Sequence, residues 1–244
     1  FISFLIVILN SIALAQPPVV TKVEPPNWWA GMKTNKIQLM VYGRNLSEVN
    51  VSSSSPSIKV LRTHAIKNSS YAFLDVKIGR QAKPGAYQLN IASPHGRTSF
   101  MFPVFKRRES TSEHQGFSPS DVIYLIVPDR FANGDTTNDS VEALSDSLNR
   151  SEPYGRHGGD LQGISNKLDY LNDLGVTSLW LTPVVENNGR SASYHGYATT
   201  NLYTIDARFG RNELYATFVG EAHKRKLKVI MDHVNNHIGI NHPW

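Results

Sequence analysis

Residues 122–127, Val122-Ile123-Tyr124-Leu125-Ile126-Val127, form an unbroken apolar run. A strand wetted on one face alternates apolar with polar. An unbroken run reads as a strand buried on both faces, as in a parallel sheet. Downstream, Leu161, Ile164, Leu168, Leu171 and Leu174 recur at helical spacing, and Gly175 supplies a C-terminal stop. Thr177–Leu181 reads as a second strand. Asn212 to Lys226 reads as a second helix with Leu214, Phe218 and Ala222 on one face, and Lys228–Val234 as a third strand. The order βαβαβ implies parallel strands joined by right-handed crossovers. A full (β/α)8 TIM barrel takes about 250 residues. Residues 121–244 hold about half that length, so set against that fold they would be an incomplete, truncated (β/α)8 barrel holding its first three strands.

Upstream, residues 16–106 read as all-β. Lys36–Gly43, Ala72–Ile78 and Ala86–Ile91 alternate with period two, and Thr98–Phe105 is a further strand. Pro84-Gly85 and Pro94-His95-Gly96 are turn signals, and Ser52–Ser55 reads as a loop. Short strands with turns at this spacing predict a small immunoglobulin-like β-sandwich. The polar stretch Lys106–Pro119 places a linker at residues 107–120.

The chain has 244 residues, 40% hydrophobic and 18% charged, and no cysteine. That composition excludes disorder, collagen and coiled coil as global descriptions. The missing cysteine excludes disulfide scaffolds, thiolate-bound zinc and thiol nucleophiles. The formal net charge is +5. Its dense basic run, His223–Lys228, lies at the end of the second helix, where cations complement the helix dipole. It reads as a solvated helix end, with no nucleic-acid partner. Phe1–Ala15 is apolar and uncharged and ends in Ala13-Leu14-Ala15. This matches the core and small-residue cleavage site of a secretory signal peptide at residues 1–15. The opening Phe1 reads as an incomplete start, and the end at Trp244 as falling part-way through a domain. Export follows, with no membrane span after signal cleavage.

Four clusters carry chemistry. Asn133, Asp135, Asn138 and Asp139 follow the first strand closely. Hard cations such as Ca2+ take six to eight oxygen ligands, yet Asn and Asp also cap their own backbone in polar turns. Spacing alone leaves both readings open. His157-Gly158-Gly159-Asp160 opens the first helix, with Asp160 as an N-cap. Tyr194-His195-Gly196-Tyr197 follows the second strand, where aromatic rings offer a platform for a sugar face or simply pack. Asp232-His233-Val234-Asn235-Asn236-His237 closes the third strand with a carboxylate, amides and imidazoles, fit for a metal or a structural hydrogen-bond cluster.

Taken in this order, the clusters resemble the alpha-amylase family of glycoside hydrolases, family 13. Asp232-x-Val234-x-Asn236-His237 resembles the first conserved region of that family, and Tyr194–Tyr197 followed by Ile205-Asp206-x-Arg208-Phe209-Gly210 resembles its stretch after strand two. Asp129–Asp139 with Gly158-Gly159-Asp160 is similar to the calcium site of the cyclomaltodextrinase, neopullulanase and maltogenic amylase branch. Pro25–Met32 and Leu39–Gly43 resemble the N-terminal domain of exported bacterial members.

The resemblance implies a retaining α-glucan hydrolase, periplasmic or extracellular in a bacterium. Its substrates would be starch-derived oligosaccharides, cyclodextrins or pullulan. Tyr197 would stack on the sugar, His195 and His237 would hydrogen-bond it, and Asp232, buried, would organise the site with Asn236. Asn133, Asp135, Asn138, Asp139, the carbonyl of Gly158 and Asp160 would hold structural Ca2+. A homodimer through the N-terminal domain is also compatible with the branch. Asn201 and His233 depart from the family pattern. No Gly-x-Arg-x-Asp nucleophile motif occurs in the chain, so the nucleophile and acid/base are expected beyond residue 244. Two other classes remain open at this stage: a non-catalytic glucan-binding protein and a calcium-dependent adhesion module.

Overall fold

The computed structural model describes residues 16–107 and 116–244. The expected signal peptide at 1–15 and residues 108–115 of the expected linker lie outside the described residues. The chain divides into two compact units, Phe1–Ser110 and Thr111–Trp244.

The first unit contains β1 (Val19–Glu24), β2 (Trp28–Trp29), β3 (Lys36–Arg44), β4 (Asn50–Ser53), β5 (Ile58–Ala65), β6 (Tyr71–Ile78), β7 (Gly85–Ser93) and β8 (Gly96–Phe105). They form two sheets, ordered β1-β3-β6-β5 and β2-β8-β7-β4. The alternation in β6 shows why these residues become strands. Ala72, Leu74, Val76 and Ile78 point inward, while Tyr71, Phe73, Asp75 and Lys77 are less buried. Leu39 and Val41 of β3 meet Leu89 and Ile91 of β7 and Phe102 and Val104 of β8 in one core between the sheets. Ser52 and Ser53 belong to β4, paired with Asn90 and Leu89, so the expected loop begins only after them. Polar Ser alternating with Val51, which is 5% exposed, is compatible with a strand that buries a single face.

The second unit runs β9 (Ile123–Ile126), α1 (Pro128–Phe131), α2 (Leu161–Ser165), α3 (Leu168–Asp173), β10 (Ser178–Leu181), β11 (Val185–Glu186), β12 (Asn201–Ile205), α4 (Asn212–Lys224) and β13 (Lys228–Met231). Strands β9, β10 and β13 form a parallel three-stranded sheet with β10 in the centre. Ile126, Leu179 and Leu181 pack with Leu161, Ile164, Leu168 and Leu171 and with Phe218 and Ala222 of α4.

Three expectations need correction. Strand β9 is not buried on both faces: Leu125 is 52% and Ile123 41% exposed. Among the described residues, helices cover only the other face of this sheet. The helix expected over 161–174 is two short helices. Lys167 leaves helical geometry at φ −111°, ψ 8°, and Ser165 Oγ donates to the Leu161 carbonyl just before the break, a back-bond that favours bending. The leucine stripe survives the break except at Leu174, which is exposed. The third strand ends at Met231, which releases Asp232–Val234 into the following loop.

Candidate functional site

Parallel strands send every following loop to the same edge of the sheet. Ile126, Leu181 and Met231 stand side by side in register at the ends of β9, β10 and β13. The Asp129, Tyr197 and Asp232 segments therefore start from one rim.

Asp232 ties two of them together. Its Oδ2 accepts from the Tyr197 hydroxyl at 2.9 Å and from Trp180 Nε1 at 3.2 Å. Asp232 is half-buried rather than buried as expected, because it sits past the strand end on the uncovered face. Burial, then the neighbouring carboxylate of Asp232, raises the Tyr197 pKa, so the phenol stays protonated as the donor. His237 Nε2 donates to the Tyr197 carbonyl at 2.7 Å. Its Nδ1 is then the acceptor, taking a hydrogen from Asn236 Nδ2 at 3.2 Å. His195 Nδ1 accepts from the Tyr197 backbone N–H at 2.9 Å, leaving its Nε2 to carry a proton outward. Burial lowers the His195 pKa, which favours this neutral ring. The His195 and Tyr197 rings lie 5.8 Å apart, 27° from parallel. Tyr197 remains 36% exposed, so the cluster offers a flat ring face flanked by an imidazole donor. The turn needs Gly196. Its φ is +84°, and a Cβ would lie 2.0 Å from the Pro183 carbonyl oxygen.

Beneath this rim lies a buried ionic frame to which the sequence reading gave no role. Asp206 and Arg208 pair at 2.7 Å, both almost fully buried. Burial pushes the Asp206 carboxyl up, but the Arg208 guanidinium and then Arg156 outweigh it and hold the group below its usual range. Asp206 also accepts from the Asn187 N–H, and Arg208 donates to the Asn187 and Asp146 carbonyls. Arg156 donates to Ser193 Oγ at 3.1 Å, and Asp146 accepts from the Ser193 N–H. Arg130 stacks over Tyr194 at 3.9 Å. The frame thus fixes both ends of the loop that presents His195 and Tyr197. An acid and an arginine two residues apart, as in Asp206-x-Arg208, was the available signal.

The oxygen-rich loop comes together around Asp160, the side-chain cap of α2. Asp160 accepts from the N–H groups of Gly163 (2.6 Å), Asp135 (2.8 Å) and Gly134 (3.1 Å), and from Asn138 Nδ2 (3.3 Å). Asn133 Nδ2 donates to Asp139 Oδ1 at 2.6 Å. Gly158 closes over them at φ +85°; a Cβ there would lie 2.5 Å from Asp139 Oδ1. Asn138 Oδ1 is buried and has no hydrogen-bond partner. Asp135 is turned partly to its own backbone, accepting from Thr137 N and Oγ1. Among the described residues no three His, Asp or Glu side chains gather as metal ligands. The side chains gathered here are carboxylates and amides instead, and a buried amide oxygen without a partner, Asn138 Oδ1, is the kind of donor a hard cation takes. Asn201, the first residue of β12, accepts from the Tyr203 N–H and donates to Thr204 Oγ1, bonds within its own strand. His233 is exposed.

The family model for the alpha-amylase catalytic domain matches residues 125–244, and that for the cyclomaltodextrinase N-terminal domain matches residues 22–108. The chain belongs to the alpha-amylase family of glycoside hydrolases. Its relatives include a beta/alpha-amylase of Paenibacillus polymyxa, 41% identical over 50% of this chain and 10% of that protein. An intracellular maltogenic amylase of Bacillus subtilis (strain 168) is 40% identical over 59% of this chain and 24% of the relative. Neopullulanase 2 of Thermoactinomyces vulgaris is 42% identical over 48% of this chain and 20% of the relative. The chain thus spans a quarter or less of the length of these alpha-amylase family relatives. Among its described residues no helix is long and apolar enough to cross a membrane.

Proposed function

We propose that this chain supplies the sugar-binding part of a retaining α-glucan hydrolase that acts on starch-derived oligosaccharides, cyclodextrins or pullulan. The observation that carries the reading is the shared carboxylate of Asp232, which holds the Tyr197 hydroxyl and the Trp180 indole at one strand rim beside His195 and His237. Tyr197 presents its ring to the apolar face of a glucosyl unit, the free Nε2–H of His195 donates to its hydroxyls, and a sugar hydroxyl reaching His237 would have to compete with the bonds that ring makes to the Tyr197 carbonyl and Asn236. A retaining mechanism needs two carboxyl groups about 5–5.5 Å apart. The Gly-x-Arg-x-Asp nucleophile motif is absent from these 244 residues, so the bond-breaking pair belongs to strands of the barrel other than β9, β10 and β13. In this reading those three are the first strands of a (β/α)8 barrel, and the first unit is an immunoglobulin-like sandwich.

Ca2+ belongs to the same proposal. Asn133, Asp135, Asn138, Asp139, the Gly158 carbonyl and Asp160 would hold it. Bound there, it would cross-link the loop after β9 to the start of α2 by electrostatics alone. The apolar Phe1–Ala15 stretch and its Ala-x-Ala end support export; the B. subtilis relative is named intracellular, so the point rests on the sequence. N-terminal sequencing of the mature protein decides it, and retained residues 1–15 would refute export.

The function is tested by calorimetric titration with maltotriose and, as the control, cellotriose. Binding of maltotriose alone supports the α-glucan reading; equal binding, or none, contradicts it. If glucan binds but the protein completed with its remaining barrel strands releases no reducing sugar, the non-catalytic glucan-binding reading replaces the hydrolase.

A further inference from the structure

The outer face of sheet β1-β3-β6-β5 carries positive charge that its own residues leave unbalanced. Lys36 of β3 stands directly opposite Lys77 of β6, and Lys59 of β5 stands opposite Lys77 on the other side. Three lysines therefore stand abreast across three neighbouring strands, on one face of the sheet. Like charges directly opposite one another destabilise a sheet. All three lysines are exposed, and among the described ion pairs none involves them. The nearest carboxylate along the strand, Asp75, is already engaged by His64 at 2.7 Å and Gln38 at 3.0 Å, and Arg62 stands opposite it.

The row borders a hollow of about 440 Å³. Arg80 adds a fourth cation to its wall, Asn35 and Ser57 add neutral polar groups, and no Asp or Glu lines it. The Asn35 amide is fixed by donating to the Ile78 carbonyl at 3.0 Å, so that wall is held in place. Small-molecule sites commonly measure about 300–1,000 Å³. Four cations converging on one hollow call for a compact ligand with more than one negative charge. Lysines serve phosphate well as mobile point charges, whereas a lone carboxylate would leave most of the row unneutralised.

We propose that this hollow binds a phosphate-bearing ligand, held by Lys36, Lys59, Lys77 and Arg80. The space beyond the phosphate accommodates an attached organic group such as a hexose beside Ser57. The site lies in the first unit and is independent of the glucan reading.

The whole chain is titrated calorimetrically with inorganic pyrophosphate, glucose 6-phosphate and glucose at constant ionic strength. Saturable binding of at least one of the two anions, with glucose inert, is expected. Lys77→Gln should weaken that binding at least about tenfold, while Lys67→Gln, an exposed cation outside the hollow, should not. Pyrophosphate alone would assign an inorganic anion; tighter binding of glucose 6-phosphate would assign a sugar ester. Without anion, Lys77→Gln should melt no lower than the parent, because the substitution removes cross-strand repulsion. Should that variant fail to fold, Lys59→Gln on edge strand β5 gives the same reading. Binding of neither anion by the parent, or equal binding by parent and Lys77→Gln, overturns the proposal.

Discussion

Asp121 shows how much one carboxylate does in the second unit. It accepts from Lys228 Nζ at 2.8 Å, from the Ser118 N–H and from Thr177 Oγ1. Lys228 foremost, then the other donors, pull its pKa down to about 2. A depressed pKa stabilises the fold above the unfolded value, near 4, and that stabilisation is lost as pH falls toward 2. Asp121→Asn should therefore flatten the acid limb of the stability curve between pH 5 and 2. Superimposable limbs for variant and parent would contradict the assignment. Asp232 makes a second residue-scale case. Asp232→Ala leaves the Tyr197 hydroxyl and Trp180 indole without their shared acceptor. We expect maltotriose affinity to fall about tenfold with little change in melting temperature, since the group is only half-buried. The types and spacing of Tyr197, His195, His237 and Asp232 were legible in the sequence. What was not legible was that His195 Nδ1 and His237 Nε2 are both consumed by the Tyr197 backbone. Such contacts depend on a turn set by the positive φ of Gly196.

The same divide holds for elements. Helix α4 and strands β6, β7 and β8 could be read directly, because each buries one clear face; β3 could be read from its alternation too, although Leu39, Met40 and Val41 are buried in succession. The break between α2 and α3 could not, because the leucine stripe runs on through it. The break arises from the Ser165 back-bond and the backbone of Lys167. The oxygen-rich loop was legible as composition, but not the central place of Asp160. It satisfies three backbone N–H groups, at Gly134, Asp135 and Gly163. Asp160→Ala should cost at least about 2 kcal/mol, more than an ordinary lost cap, read from urea denaturation. If Ca2+ sits in this loop, chelator should lower the melting temperature of the parent, and Gly158→Ala should erase that response. Its Cβ would press on Asp139 Oδ1 at a φ of +85° that alanine also resists. A melting temperature indifferent to calcium and chelator in the parent would leave only a polar turn.

At the scale of the whole molecule, two separate cores explain the division of the chain, one between the paired sheets and one between the parallel sheet and its helices. The second unit leaves Leu125 52% and Trp180 39% exposed on the face away from those helices. Strands β9 and β13 form the two edges of that sheet. Apolar faces and open edges invite self-association. Sedimentation of the 244-residue chain should therefore depend on concentration, and Leu125→Lys should reduce that dependence. The sequence foretold burial there because an unbroken apolar run looks the same whether or not a second layer covers it. On the proposed function, the rim of β9, β10 and β13 is where an α-glucan lies. Maltotriose titrated into the parent and into Tyr197→Ala tests it most directly. Removing the stacking ring should lower affinity at least about tenfold, near 1.4 kcal/mol, with the fold intact. Equal affinity in parent and Tyr197→Ala would contradict the claim.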